Sequence, residues 1–332
     1  MRIRRLFLVI LVFTAVFGLA SCQQAYHEPE ERYVFIASNI NLPYWQEAQA
    51  GLTDAAKQMG VKVDFEGPDK FDPQEELAAF QKALAAKPSG IMISVSRPEL
   101  FHDAINSAIA VGVPVIAVDS DVPETKRVLF VGTDNFRAGQ ESAKRMAQIL
   151  QGRGQIVVIM IAGQQNIDER IRGVTEALKK FPEIKVIKSI DDSGDPRVAN
   201  DGVSSLLQAK TKIDGIISLE ASGGEGAAEA AHRQDMDGKI AIVAFDKDPE
   251  TLDWIEKGVI TATVTQKPYV MSYYSLKFAD DLHHNAVHDF KDWRTAPTSP
   301  LPTFVDTGTA IVDKSNVKAF RDALAAHPKP IL

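Results

Sequence analysis

The stretch Val115-Ile-Ala-Val-Asp-Ser-Asp121 decides the fold. Four β-prone apolar residues, entered from Gly112-Val-Pro114 and stopped at Asp119, read as a buried strand of a parallel sheet. The pattern returns at Ala241–Asp248, Ala-Ile-Val-Ala-Phe-Asp-Lys-Asp, with Asp246 in the place of Asp119. Two more landmarks repeat in the same order: Gly51 matches Gly173, and Gly90 of Ser-Gly-Ile-Met-Ile-Ser-Val matches Gly215 of Asp-Gly-Ile-Ile-Ser-Leu-Glu. The separation is nearly constant, so the chain contains two copies of one βα domain.

Outward from that strand, helix and strand patterns alternate. Tyr33–Ser38, Val61–Glu66 and Ile91–Val95 read as strands, and Trp45–Met59 has helical periodicity ended by Gly60. Asp72-Pro73 opens a helix with Asp72 as N-cap and Pro73 in the first turn, and Asp195-Pro196 repeats the device in the second copy. The second copy begins near Val131–Asn135 and its strands run through Ile260–Val264. A long helix from Pro268, a proline-rich passage and a short strand and helix follow. Strict alternation predicts α/β architecture, open parallel sheets with helices on both faces.

The bulk properties agree. The 332 residues suffice for two domains, and 45% hydrophobic with 24% charged residues is globular composition. A net charge of −7 without a long basic run disfavours nucleic acid as the main partner. Arg2, Arg4 and Arg5 precede the apolar run Leu6–Phe17, then Leu19-Ala-Ser-Cys22. The run is shorter than the roughly 20 residues of a membrane-spanning helix, so it reads as an export signal. Cys22 is the only cysteine, which excludes an intrachain disulfide.

Six segments resemble the periplasmic sugar-binding proteins of ABC transporters, ribose-binding type, which share a two-lobed fold with lactose-type repressors. They are Asn41–Trp45, Val113–Asp121, Val131–Gly139, Glu169–Gly173, Val243–Pro249 and Thr261–Pro268. The resemblance implies a periplasmic binding protein of type I, two doubly wound parallel-sheet lobes joined by a three-strand hinge. Lobe one is then 33–134 with 267–297, and lobe two 135–266 with 298–332. The hinge crossings are expected near Thr133–Asn135, Thr263–Lys267 and Pro297–Val305. Leu19–Cys22 resembles the lipobox of bacterial lipoproteins. It implies a signal peptide over 1–22, lipidation of Cys22, a polar tether over 23–32, and an exported monomer held on a membrane through the lipid anchor only. The implied partners are a small polar ligand (sugar, polyol or amino sugar) and ABC transporter permease subunits, with no cofactor, no metal and no enzymatic activity.

Open α/β sheets bind ligands beyond the carboxyl ends of their strands. Asp119 and Asp246, ending equivalent strands, are therefore expected to face each other across a cleft and accept paired hydroxyl donors. Tyr44 and Trp45 offer aromatic faces to a sugar's C–H surface, and Asn41 beside them can donate and accept. The resemblance assigns Arg170 to ligand oxygens and Gln266 to the hinge, bonding ligand at one end and lobe at the other. Ser120, Ser94 and Glu220 occupy ligand positions where ribose binders carry arginine and asparagines, and no second-lobe aromatic stands near Asp192-Ser-Gly194. These departures imply an acidic site and a ligand other than ribose.

Competing readings are weaker. Ser222-Gly-Gly-Glu-Gly226 lacks dinucleotide-binding spacing, and no hydrolase elbow or zinc-protease motif occurs. His284 and His288 share a helix face without a third metal ligand. A lactose-type repressor would need a DNA-binding segment where this chain has an export signal. A membrane-tethered sensor presenting bound ligand to a receptor remains the alternative to a transport component.

Overall fold

A computed structural model of the chain describes residues 26–284 and 301–326. The leader, Cys22, the start of the tether, His288 and the prolines at 297 and 300 lie outside the described residues. Residues up to Glu31 form a small unit of their own, in which the Glu31 N–H donates to the Glu28 carbonyl. Everything that follows concerns the unit from Arg32 onward.

That unit holds two six-stranded sheets. The first is built from β1 (Arg32–Ile36), β2 (Lys62–Glu66), β3 (Gly90–Ile93), β4 (Val115–Val118) and β5 (Leu129–Gly132) in the order β2-β1-β3-β4-β5. The second repeats it with β6 (Arg153–Met160), β7 (Glu183–Asp191), β8 (Gly215–Ser218), β9 (Ala241–Phe245) and β10 (Ala262–Thr265), ordered β7-β6-β8-β9-β10. All these strands pair in parallel. Strand order reverses between β1 and β3 and again between β6 and β8, the doubly wound arrangement whose switch point opens a crevice. The two lobes are as the duplication predicts.

The helices follow from their sequences. In lobe one these are α1 (Pro43–Met59), α2 (Pro73–Ala85) and α3 (Pro98–Ala110); Asp72 caps α2 by accepting from the Gln74 and Glu75 N–H groups. Next come α4 (Asn135–Ile149), α5 (Gln165–Leu178), α6 (Pro196–Gln208), α7 (Ala221–Arg233) and α8 (Pro249–Lys257), with Asp195 capping α6 through the Arg197 N–H. α9 (Pro268–His284) returns to pack on α1, β3, β4 and β5, while α4 packs on α5 and on the second sheet. Each sheet carries apolar cores on both faces, as a strand like β4, buried at every position, requires.

Gly51 and Gly173 explain one part of the repeat. A Cβ at Gly51 would overlap the Tyr269 carbonyl of α9, and one at Gly173 the Phe136 carbonyl of α4. Both glycines allow the first helix of a lobe to approach the helix that crosses in from the other copy.

The chain passes between lobes at Thr133–Asp134 and at Gln266–Lys267, inside the first two expected crossings. The third differs. β11 (Phe304–Asp306) pairs in parallel with β5 in the first sheet, and β12 (Ala310–Asp313) pairs antiparallel with β10 in the second. The crossing is therefore at 307–309 and not at Pro297–Val305, because Phe304 and Val305 complete the edge of lobe one, Phe304 stacking on Phe130 (ring centroids 5.2 Å apart). The closing helix α10 (Val317–Ala326) lies against α8.

Candidate ligand-binding site

β4 and β9 end alike. The backbone of Asp119 turns left-handed (φ 64°), and so does that of Asp246 (φ 68°). Each residue's N–H donates to the neighbouring strand, Asp119 to the Val131 carbonyl (3.0 Å) and Asp246 to the Val264 carbonyl (2.8 Å). Holding a non-glycine residue there costs of order 1–3 kcal/mol. The turn takes each carboxylate off the line of its strand, and neither is spent on a helix cap. Asp119 and Asp246 line one cavity at the carboxyl ends of both sheets, the place where open α/β sheets bind ligands.

Arg170 organises the second-lobe side. On α5 it is 1% exposed, stacked 4.4 Å from the centre of the Phe245 ring. Its Nε donates to Asn135 Oδ1 (2.8 Å), one terminal nitrogen to the Leu219 carbonyl (2.7 Å), and the other to Gln266 Oε1 (2.8 Å). One N–H on each terminal nitrogen remains for a ligand. The Gln266 oxygen also accepts from the Thr133 hydroxyl (2.8 Å), and its amide nitrogen donates to Asp246 (2.9 Å). Gln266 lines the cavity, yet its oxygen is committed to the protein and only one N–H faces outward, less than the expected division between ligand and lobe.

The first-lobe side is aromatic. The Tyr44 hydroxyl donates to Asp119 Oδ1 (2.6 Å), and Trp45 meets Tyr44 edge-on with centroids 5.0 Å apart. Both rings line the cavity. Burial raises the Asp119 pKa, opposed by the Arg170 charge and the Tyr44 bond. Burial likewise pushes Asp246 up to about 6, opposed by Arg170 and Gln266 and reinforced by Asp119.

Glu220 reaches the cavity wall but acts as the N-cap of α7, accepting from the Ser222 N–H (2.6 Å) and from the Gly223 N–H. The helix terminus holds its carboxylate. Behind it, burial and the Glu220 charge push Asp192 up to about 9. Three expected residues are absent from the cavity. Asn41 turns away and donates to the Asp69 carbonyl (2.9 Å). Ser94 and Ser120 are fully buried behind it: the Ser94 N–H stays in the sheet on the Ile36 carbonyl, and the Ser120 N–H folds back to the Val118 carbonyl. Two neighbouring acids lie apart from the cavity: Asp248 precedes α8 without capping it through its side chain, and Asp121 pairs with Arg127.

The structure adds Asn166, Phe71, Asn39, Ser38 and Gln164 to the cavity lining. Asn166 matters most, because its Nδ2 donates across the cleft to Asp119 Oδ2 (3.2 Å). Two signals identify it. It lies one helical turn before Arg170, on the same face of α5. It also stands as far before Gly173 as Tyr44 stands before Gly51, so Tyr44 and Asn166 are repeat equivalents that grip one carboxylate. Phe71, from the β2–α2 loop, packs against the second-lobe cluster containing Ile161 and Ile167 and supplies the aromatic wall that lobe two lacks.

Two α/β lobes with a polar, aromatic-walled cavity between their switch points define a hinged solute-binding protein. Residues 33–285 match the family model described as a periplasmic binding protein domain, and the chain belongs to that family. The D-allose-binding periplasmic protein of Escherichia coli is 28% identical over 282 residues, covering 82% of this chain and 88% of its own. The sugar-binding protein of a sugar ABC transporter from Bacillus halodurans is 35% identical with TM-score 0.76, covering 87% of this chain and 99% of that structure. The arabinose-binding protein AraP of Geobacillus stearothermophilus is 33% identical with TM-score 0.73, covering 88% and 99%. Among the described residues no helix is long and apolar enough to cross a membrane.

Proposed function

We propose that the chain is the solute-binding component of an ABC importer and that it takes a small sugar or polyol-like ligand into the cavity, closing over it by hinge motion. The observation that carries this reading is the pair Asp119 and Asp246, turned by the same backbone device into one cavity that also holds Arg170 and the rings of Tyr44, Trp45 and Phe71. Paired carboxylates accept vicinal hydroxyls, the guanidinium supplies donors to ring oxygens, and aromatic faces cover the C–H surface. The names of the relatives, binders of D-allose and arabinose, support a sugar of this size. The acidic lining, with Glu220 in the wall beside Asp119 and Asp246, favours a ligand other than ribose. On this reading residues 33–134 and 267–306 make one moving body, 135–266 and 310–326 the other, and the protein acts as a monomer beside its permease. Cys22 is acylated and holds the exported protein at a membrane.

Isothermal titration against D-allose, arabinose, ribose, xylitol and glucosamine tests the ligand. The expected result is tight binding of one sugar or polyol other than ribose, reduced about 100-fold in Asp246→Asn. Silence across the panel, or tight binding of ribose alone, overturns it. Intact-mass measurement of the membrane fraction tests the anchor: the wild-type chain begins at a triacylated residue 22, and Cys22→Ser is released unmodified.

A further inference from the structure

Polar contacts join the lobes both outside the cavity and at its centre. Lys247, just beyond β9 in lobe two, donates to Glu47 on α1 of lobe one at 2.8–2.9 Å and to the Gln266 carbonyl at 2.9 Å. Arg97, ahead of α3 in lobe one, lies against Gly163 of lobe two so closely that a Cβ there would overlap its Nη1, and its charge reaches Asp168. Between these, Asn166 donates to Asp119. Glu47, Lys247, Arg97 and Gly163 lie outside the cavity lining, so their contacts are made by the protein alone.

We propose that these protein-only contacts form a clasp that populates the closed form of the chain before any ligand enters. The Lys247 ammonium is largely buried (12% exposed) and tied to a carboxylate on one lobe and a hinge carbonyl on the other. A charge-assisted bond in such surroundings is stronger than one in open water. Opening the lobes would break it together with the Asn166 bond and the packing of Phe71 on the second-lobe apolar cluster. A ligand then acts on an equilibrium already shifted toward the binding-competent state and avoids part of the affinity loss that a rare competent state imposes. At the centre it must replace the Asn166 N–H on Asp119 with a donor of its own, whereas the Lys247 and Arg97 contacts persist.

The proposal rests on the hinge motion proposed above but not on the identity of the ligand, and its test uses none. The chain is unfolded and refolded to strip small molecules, checked by native mass spectrometry, and compared with Lys247→Glu and with the exchanged pair Lys247→Glu/Glu47→Lys. Small-angle X-ray scattering reads the radius of gyration, and hydrogen exchange reads the segments 39–45 and 161–170. The expected result is a compact wild type, an expanded Lys247→Glu with several-fold faster exchange in both segments, and a partial return toward the compact form in the exchanged pair, which restores the ion pair but not the bond to the Gln266 carbonyl. A wild type as expanded as Lys247→Glu overturns the clasp, as does a Lys247→Glu chain as compact as the wild type. A chain that binds no sugar yet behaves as expected keeps the clasp and loses only the sugar reading.

Discussion

Asp119 and Asp246 are the same residue twice: each ends a central strand, each has a left-handed backbone, and each ties its N–H to the next strand. Both carboxylates line the cavity, and a glycine would take either backbone position at no steric cost.

Asp119→Gly and Asp246→Gly therefore separate fold from function. Glycine relieves the left-handed backbone by about 1 kcal/mol, and it also removes a buried carboxylate whose pKa burial has raised. Thermal unfolding should show each glycine variant at or above the Tm of the matching asparagine variant, while ligand affinity falls about 100-fold in all four. Glycine variants less stable than their asparagine counterparts would contradict the strain argument.

Stability should decline from mildly acidic to alkaline pH. Glu76, fully buried on α2, is pushed up to about 8 by burial, against the restraint of the Ser96 N–H. A carboxyl raised in the fold contributes stability that is complete below its ordinary value of 4.5 and is lost as pH rises through about 8. Asp192, Asp248 and Asp246, raised to about 9, 7 and 6, act in the same direction. Glu76→Gln should match the wild type in Tm at pH 5 and exceed it by roughly 5 °C at pH 9. Equal Tm values at both pH values would remove Glu76 from the account.

Arg170 is a structural centre as well as part of the cavity wall. Removing it leaves Asn135, the Leu219 carbonyl and Gln266 each short of a donor. Arg170→Met should cost about 3–5 kcal/mol, a fall in Tm of roughly 10 °C for a chain of this length. Arg170→Lys should recover only part of that, because an ammonium cannot reach three acceptors set in a fork. Full recovery by lysine would reduce the role of Arg170 to charge.

Gly51→Ala and Gly173→Ala should each destabilise the chain by roughly 1–3 kcal/mol, because each methyl meets a backbone carbonyl of the crossing helix. Denaturant titration should give similar losses at the two sites and almost none for an alanine at an exposed helix position such as Gln49. Unequal losses would mean that the two helix contacts have diverged since duplication.

The architecture was legible because parallel strands buried on both faces leave unbroken apolar runs, and duplication supplied each run twice. Asp119, Asp246, Arg170, Tyr44 and Trp45 all line the cavity; Arg170 was pointed to by the family resemblance, the two rings by their chemistry, and the paired aspartates by the duplication. The duplication could also have found Asn166, since the spacing to the paired glycines is identical, but an asparagine aligned with a tyrosine shares no side-chain chemistry and only the backbone register connects them. Ser94 and Ser120 were misplaced because position along a strand end does not determine side-chain direction once the backbone turns. Glu220 looked like a ligand acid because cap and contact residues share the same position after a strand. Phe71 comes from an irregular loop with no period to mark it, and the third crossing was misplaced because β11 is only three residues long.

The exchange of α4 and α9 means that sequence halves and folded halves do not coincide. Severing the chain at Thr133 yields a front piece whose central strands β3, β4 and β5 lose the cover of α9. Neither piece should persist alone at working concentration, whereas both made together should reassemble.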